Sequence, residues 1–149
     1  MIIIGYQGIG KSTLAGCDNC IDLESGNFWI DGKRDDNWYI PYCNIAEHLS
    51  NQGFTVFVSS HQVVRDRLSQ SDEATITVFP SLDLREEWTE RLKERWEQSG
   101  LDKDYRAYMN AYVRYHDNIK ELMNYKCTHI IHDMDYDLLE IVRELRNSF

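Results

Sequence analysis

Long apolar runs are missing from this chain of 149 residues. Nothing approaches the ~20 residues that span a bilayer. The opening Met1-Ile2-Ile3-Ile4 is too short, and too poor in basic flanks, for a signal peptide, so a cytoplasmic protein with no membrane association is expected. Positive charge is scarce: 16 Lys plus Arg face 25 Asp plus Glu, a formal net charge of -9. A polynucleotide binder needs a broad basic footprint, so polynucleotide binding is not expected. Any anionic ligand must instead meet a local concentration of positive charge. The two prolines mark no domain boundary, and there is no linker, repeat or low-complexity tract. Of the four cysteines, Cys17 and Cys20 form a C-x-x-C pair, with no second Cys or His pair to complete a zinc set. Reduced thiols are expected.

What is present is an ordinary globular composition, 42% hydrophobic and 28% charged. Its length suits one domain over residues 1–149, able to bury roughly 68–70% of its unfolded surface. Short β-branched runs alternate with helical stretches, the pattern of a parallel sheet with crossover helices. Strands are expected at Ile2–Ile4, Cys20–Asp22, Phe54–Val58, Ala74–Phe79 and Thr128–Ile131, with Pro80 breaking the fourth. A short helix should start near Lys11 and fade by Gly16. Others run from about Pro41 to Gly53, through Val63, Val64 and Leu68, and over Leu138–Leu145. Between the fourth and fifth strands lie two longer helices. The first should open on a capping-box spacing of Asp83 and Glu86 and run to about Gln98. The second covers roughly Lys103–Tyr125, with Tyr105, Tyr108, Met109, Tyr112, His116, Ile119 and Met123 as its core stripe. The expected fold is a three-layer α/β/α domain on a five-stranded parallel sheet, with a helical insert at about 81–125.

One motif stands above the rest. Gly5-Tyr6-Gln7-Gly8-Ile9-Gly10-Lys11-Ser12 fits G-x-x-x-x-G-K-[ST] at every fixed position. Glycines let the backbone curl until successive N–H groups point inward as a nest for phosphate oxygens. The following helix adds its unpaired N–H groups. Lys11 would reach the β- and γ-phosphates of ATP, and the Ser12 hydroxyl would ligate Mg²⁺. Gly5, Gly8, Ile9, Gly10, Lys11, Ser12 and Thr13 are therefore the expected ATP-binding residues. The glycines run G-x-x-G-x-G rather than G-x-G-x-x-G, which disfavours a dinucleotide.

The segment from Gly5 to Ala15, after its β-branched strand, resembles the P-loop NTPase superfamily. The short chain with an arginine-bearing helical insert is similar to its small nucleoside and nucleotide kinase branch, adenylate-kinase-like and including phage-encoded kinase-like proteins. That resemblance implies an acceptor region after the second strand and a mobile arginine-bearing lid after the fourth. The third strand ends Val58-Ser59-Ser60-His61 with no carboxylate, a departure from motor and GTPase patterns. The metal ligand must then lie elsewhere. Asp22, expected at the end of the second strand on the edge of the phosphate loop, is the candidate, with Ser12, for Mg²⁺ or for the acceptor proton.

Arg91 and Arg95 lie four apart, on a face shared with Leu84 and Trp88. They would either swing onto the phosphates as catalytic groups or lie across Trp88 and pair with Glu87 and Glu94. Glu24, Phe28 and Arg65 are the candidate acceptor-binding residues. Arg65 resembles the position from which related kinases grip an acceptor phosphate, and Phe28, with Trp29, Trp38 and Tyr39, lies where that branch holds a base or sugar. Ser59 with His61 is a further candidate pair, although His61 could simply cap the next helix. The expected function is ATP-dependent, Mg²⁺-requiring phosphoryl transfer to a small acceptor, a nucleoside or nucleoside monophosphate. The alternative is an ATP-binding regulatory or accessory protein with little turnover.

Overall fold

The central strand β1 (Ile2–Gly5) is apolar throughout because both of its faces are covered. The computed structural model describes all residues from Met1 to Phe149. β1 pairs in parallel with β3 (Thr55–Val58) on one side and β4 (Thr75–Pro80) on the other. β2 (Cys20–Asp22) and β5 (Thr128–Ile131) form the edges, giving five parallel strands in the order β2-β3-β1-β4-β5. Helices cover both faces, so the fold is a three-layer α/β/α arrangement, as the alternating sequence pattern implies. Ile2 and Ile4 face α2 (Tyr39–Asn51) and α3 (Gln62–Leu68) in one buried cluster. Ile3 belongs to the other cluster, with α4 (Arg85–Ser99), α5 (Asp102–Met123) and α6 (Leu138–Asn147). No helix is long and apolar enough to cross a membrane.

The chain leaves β1 toward β2 and leaves β3 toward β4, in opposite directions along the sheet. The loops after these adjacent strands therefore diverge, and a crevice opens at their carboxyl ends. The four-residue helix α1 (Lys11–Leu14) begins inside that crevice.

Several boundaries differ from the sequence expectation for physical reasons. α2 starts at Tyr39, with Pro41 as its third residue. A missing N–H is tolerated there because first-turn amides have no intrahelical partner. Pro80 does not break β4 but ends it, opposite Ile131. Even-numbered residues of β4 bond toward β1, where the Tyr6 N–H donates to Val78 O, and odd-numbered ones toward β5, where the Ser81 N–H donates to Ile131 O. Pro80 thus lacks its N–H on the side where β1 has already ended. The capping box at Asp83 and Glu86 does not form. Leu82–Leu84 make a 3₁₀ turn, and α4 starts at Arg85 with no side-chain cap.

The core stripe of α5 is also displaced. Of the expected stripe Ile119 is buried and Tyr108 and Met109 are half-buried, but Tyr105, Tyr112, His116 and Met123 are exposed, and Ala111, Tyr115 and Leu122 are buried in their place. Arg114, at φ -125°, interrupts the helix, yet the buried positions keep three- and four-residue spacing through it. The stripe is turned because its seam runs through Asp104 and Ala111 rather than through the aromatic residues. The buried position nearest the start of the helix is Asp104, which an apolar pattern does not register.

Replacing the fully buried Ile3 with alanine leaves a cavity between β1 and the α4–α5 layer. Urea denaturation should show Ile3→Ala less stable by about 2–5 kcal/mol.

Candidate functional site

The crevice is a cleft of about 450 Å³. Gly5, Tyr6, Gln7 and Lys11 form one wall, Ser59 to Gln62 and Arg65 a second, and Asn110, Arg114, Asn118 and Glu121 of α5 a third. Its floor is the glycine-rich loop, whose shape is set from outside. The Trp88 indole donates to Gln7 O at 2.8 Å, the Arg91 guanidinium to Gly8 O at 3.2 Å, and the Tyr136 hydroxyl to Ile9 O at 2.7 Å. Three successive carbonyls are thereby pulled away from the crevice. The amides of Gln7, Gly8, Gly10, Lys11 and Ser12 donate to nothing within the chain. An array of free N–H groups of this kind suits an anion.

The three outer donors brace one another. Arg91 also donates to the Tyr136 hydroxyl at 2.7 Å, its guanidinium lies 4.6 Å from the Trp88 ring centroid, and Trp88 stacks on Tyr136 at 5.9 Å. Gly8, at φ +89°, passes directly beneath them. A Cβ there would lie 3.0 Å from Leu92 and 3.1 Å from Trp88, so only glycine suits both the conformation and the space.

Lys11 is partly buried and makes no hydrogen bond or ion pair. Burial pulls its ammonium below the ordinary lysine range; Asp22 and Glu24 oppose that shift and Arg95 adds to it. A buried ammonium without an ion pair costs free energy, which the nearby charges of Asp22 and Glu24 offset only in part. The Ser12 hydroxyl is exposed and unbonded, whereas Thr13 Oγ1 donates to Gly10 O at 2.6 Å. Asp22 ends β2 as expected. Burial raises its carboxyl to about 6; Lys11 opposes this, and the charge and hydrogen bond of neighbouring Glu24 reinforce it. Lys11, Asp22 and Glu24 are thus close enough to perturb one another, with Lys11 alone of the three lining the crevice. No group of three or more His, Cys, Asp or Glu side chains there could hold a metal unaided.

The arginines of the insert reach this region in unequal ways. Arg91 lies across Trp88, as one of its two expected fates required, and grips the loop from behind. Arg95 is close enough to Lys11 to shift it electrostatically, and is held by Asp104 at 3.2 Å. Asp104 is buried and also accepts from Ser99 Oγ. Lys103, which the sequence did not single out, acts on Asp22 in the same way.

Arg65 lines the cleft but is fully engaged. Its Nε donates to Ser60 O at 2.8 Å and its Nη2 pairs with Glu121 at 3.1 Å. Phe28 does not reach the cleft. It packs against Trp38 and Tyr42 and borders a separate cavity with Ile30 and Pro41. His61 does not cap α3 through its side chain; its Nδ1 meets Ser59 Oγ at 2.8 Å. Burial, then the charges of Arg34, Lys11 and Arg65, keep the imidazole below its usual range and hence neutral at pH 7.

Sequence reasoning missed Trp88, Tyr136, Asn110, Arg114 and Asn118. None belongs to a motif, and each reaches the loop or cleft from more than 80 residues away or across a helix kink. The one available signal was that an arginine four residues from another, beside Trp88, lay off the solvent face.

Two outcomes follow. Tyr136→Phe removes one carbonyl restraint with little change of volume, and should weaken inorganic phosphate or nucleotide binding several-fold in calorimetry while costing about 1 kcal/mol of stability. A carbon-13 NMR titration should place the Asp22 midpoint near 6, lower in Glu24→Gln and higher in Lys11→Met. Because the folded value exceeds the unfolded 3.8, the stability linked to this proton is complete below that pH and is lost as pH rises through about 6.

No protein-family model matches the chain, and no curated protein does. Among solved structures it is similar to the tunicamycin resistance protein of Deinococcus radiodurans, with a TM-score of 0.56 and 14% identity over 99% of this chain and 94% of that one. At that identity the likeness shows a shared fold, in which this chain spans nearly the whole length of its neighbour.

Proposed function

We propose that this protein is an ATP- and Mg²⁺-dependent phosphotransferase acting on a small acceptor. The observation that carries the reading is the amide array of the glycine loop, closed by an unpaired Lys11. In a chain of net charge -9 this local array of free N–H groups and one ammonium is suited to an anion, and a triphosphate tail is the anion that the loop's residue pattern implies. The resemblance of the residues from Gly5 to Ala15 to the P-loop NTPase superfamily supports the same ligand, and the fold shared with a resistance protein is compatible with it.

Lys11 and the loop amides would bind the β- and γ-phosphates. Ser12 and Asp22 supply two hard oxygen donors at the site, too few for a protein-only cage but suited to Mg²⁺, which keeps water and phosphate ligands. When bound, Mg²⁺ would neutralise phosphate charge. An acceptor hydroxyl oxygen in the cleft forms the new bond to the γ-phosphorus, the bridging P–O bond breaks, and its electron pair leaves with ADP. The hydroxyl proton passes to the neutral His61 ring. Arg95 and Arg114 are the cations available to the transferring phosphoryl, and catalysis is positioning and electrostatics. Nucleosides and their monophosphates are the acceptors that the kinase resemblance implies.

The absence of a carboxylate after β3 favours a second reading, a protein that binds ATP without transferring its phosphoryl group. Calorimetry and ADP release separate the two. Lys11→Ala should weaken ATP binding about tenfold or more, the worth of a charged hydrogen bond, and abolish acceptor-stimulated ADP release. Unchanged ATP affinity in this variant would remove the reading.

A further inference from the structure

We propose that the acceptor is a neutral, hydroxyl-rich molecule of the sugar or cyclitol kind, held by the polar wall that α5 presents to Tyr6 and Gln7. This rests on the phosphotransferase reading and narrows its acceptor away from nucleoside monophosphates.

Hydrogen-bond accounting comes first. Asn118 Nδ2 donates to Tyr6 Oη at 3.1 Å and to Asn110 Oδ1 at 2.7 Å. Gln7 Nε2 donates to the same two oxygens, at 3.4 and 3.2 Å. The four side chains are thus locked in one network, yet their opposite ends are unused. Within the chain nothing accepts from Asn110 Nδ2 or the Tyr6 O–H, and nothing donates to Asn118 Oδ1 or Gln7 Oε1. A rigid wall offering donors and acceptors side by side complements hydroxyl groups, each of which is both.

Charge comes second. A phosphate monoester calls for a guanidinium free to bind bidentately. Arg65, the buried arginine of the cleft, is already neutralised by Glu121 and tied to Ser60 O. Arg114 is exposed and only loosely paired with the same carboxylate, at 3.7 Å; on the proposed reaction it serves the phosphoryl in transit.

Shape comes third. A nucleobase needs an apolar or aromatic face to stack on. Of the cleft's two rings, Tyr6 stands edge-on to Tyr115 at 84° with its hydroxyl drawn into the network, and the small His61 imidazole stands edge-on to Trp38 at 79° and is tied to Ser59. The Phe28–Trp38–Tyr42 cluster supports the cleft wall from behind, Trp38 against His61 and Tyr42 Oη under the Ser59 N–H, and its open side borders the other cavity.

The full chain is first titrated with ATP and Mg²⁺. ADP release is then followed with N-acetylglucosamine, trehalose or myo-inositol, and in parallel with adenosine, thymidine and their monophosphates. Phosphorus-31 NMR identifies the product. At least one neutral polyol should raise ADP release about tenfold above the acceptor-free rate and emerge phosphorylated at a hydroxyl, while the monophosphates do not. Asn110→Leu, at an exposed position, should raise KM for that polyol about tenfold, one lost hydrogen bond with a desolvated partner, and leave KM for ATP unchanged. Asn118→Ala provides the same comparison should the first variant lose its thermal transition. The proposal is overturned if ATP binds and no polyol stimulates, if monophosphates are the better acceptors, or if both variants leave the polyol KM unmoved. Failure of ATP to bind at all overturns the parent reading, and is seen in the first titration.

Discussion

A peptide loop can present its amides to a ligand only if its carbonyls are satisfied elsewhere, and that constraint organises this molecule. Gln7, Gly8 and Ile9 give their oxygens to Trp88, Arg91 and Tyr136, three side chains that also stack and bond with one another. Free of that bracing, a loop with glycines at positive φ would sample many conformations and turn some carbonyls inward. The bracing residues come from α4 and from the turn before α6, so the nest depends on the second half of the chain being folded over the first.

The same arrangement explains the electrostatics. In a strongly acidic protein the mouth of β1 and β2 holds a lysine with no ion pair, a carboxyl lifted by burial and by neighbouring Glu24, and an arginine tethered to a buried aspartate. Perturbed groups gathered in this way mark a candidate functional site. Asp104 matters here because it fixes where the charge of Arg95 is held rather than supplying chemistry itself.

The helical pair α4 and α5 does two jobs with two faces. The inner face of α4 holds the phosphate-type loop from behind, while a polar row on α5 forms the far wall of the cleft. α5 serves both the core, through Ala111, Tyr115 and Ile119, and the cleft, through Asn110, Asn118 and Glu121, by presenting two faces along its length. An arginine-bearing insert was expected after the fourth strand. The structure makes its arginines part of the scaffold of the loop and of the charge around it.

Much of this was legible in the residues alone. The glycine loop stood out because its particular residue types fall at fixed spacing within twelve residues of the start. The five strands were visible because β-branched runs buried on both faces carry no polar interruptions, and Asp22 fell where β2 had to end. These are local properties, written in consecutive residues. What only the tertiary structure decided is everything that joins distant segments. It set Trp88 and Tyr136 on the loop, spent Arg65 on Glu121, turned Phe28 away from the cleft, and buried the face of α5 that carries Ala111 and Tyr115. Such pairings depend on how helices pack across a sheet, and no period or motif in a single chain encodes which remote side chain meets which carbonyl.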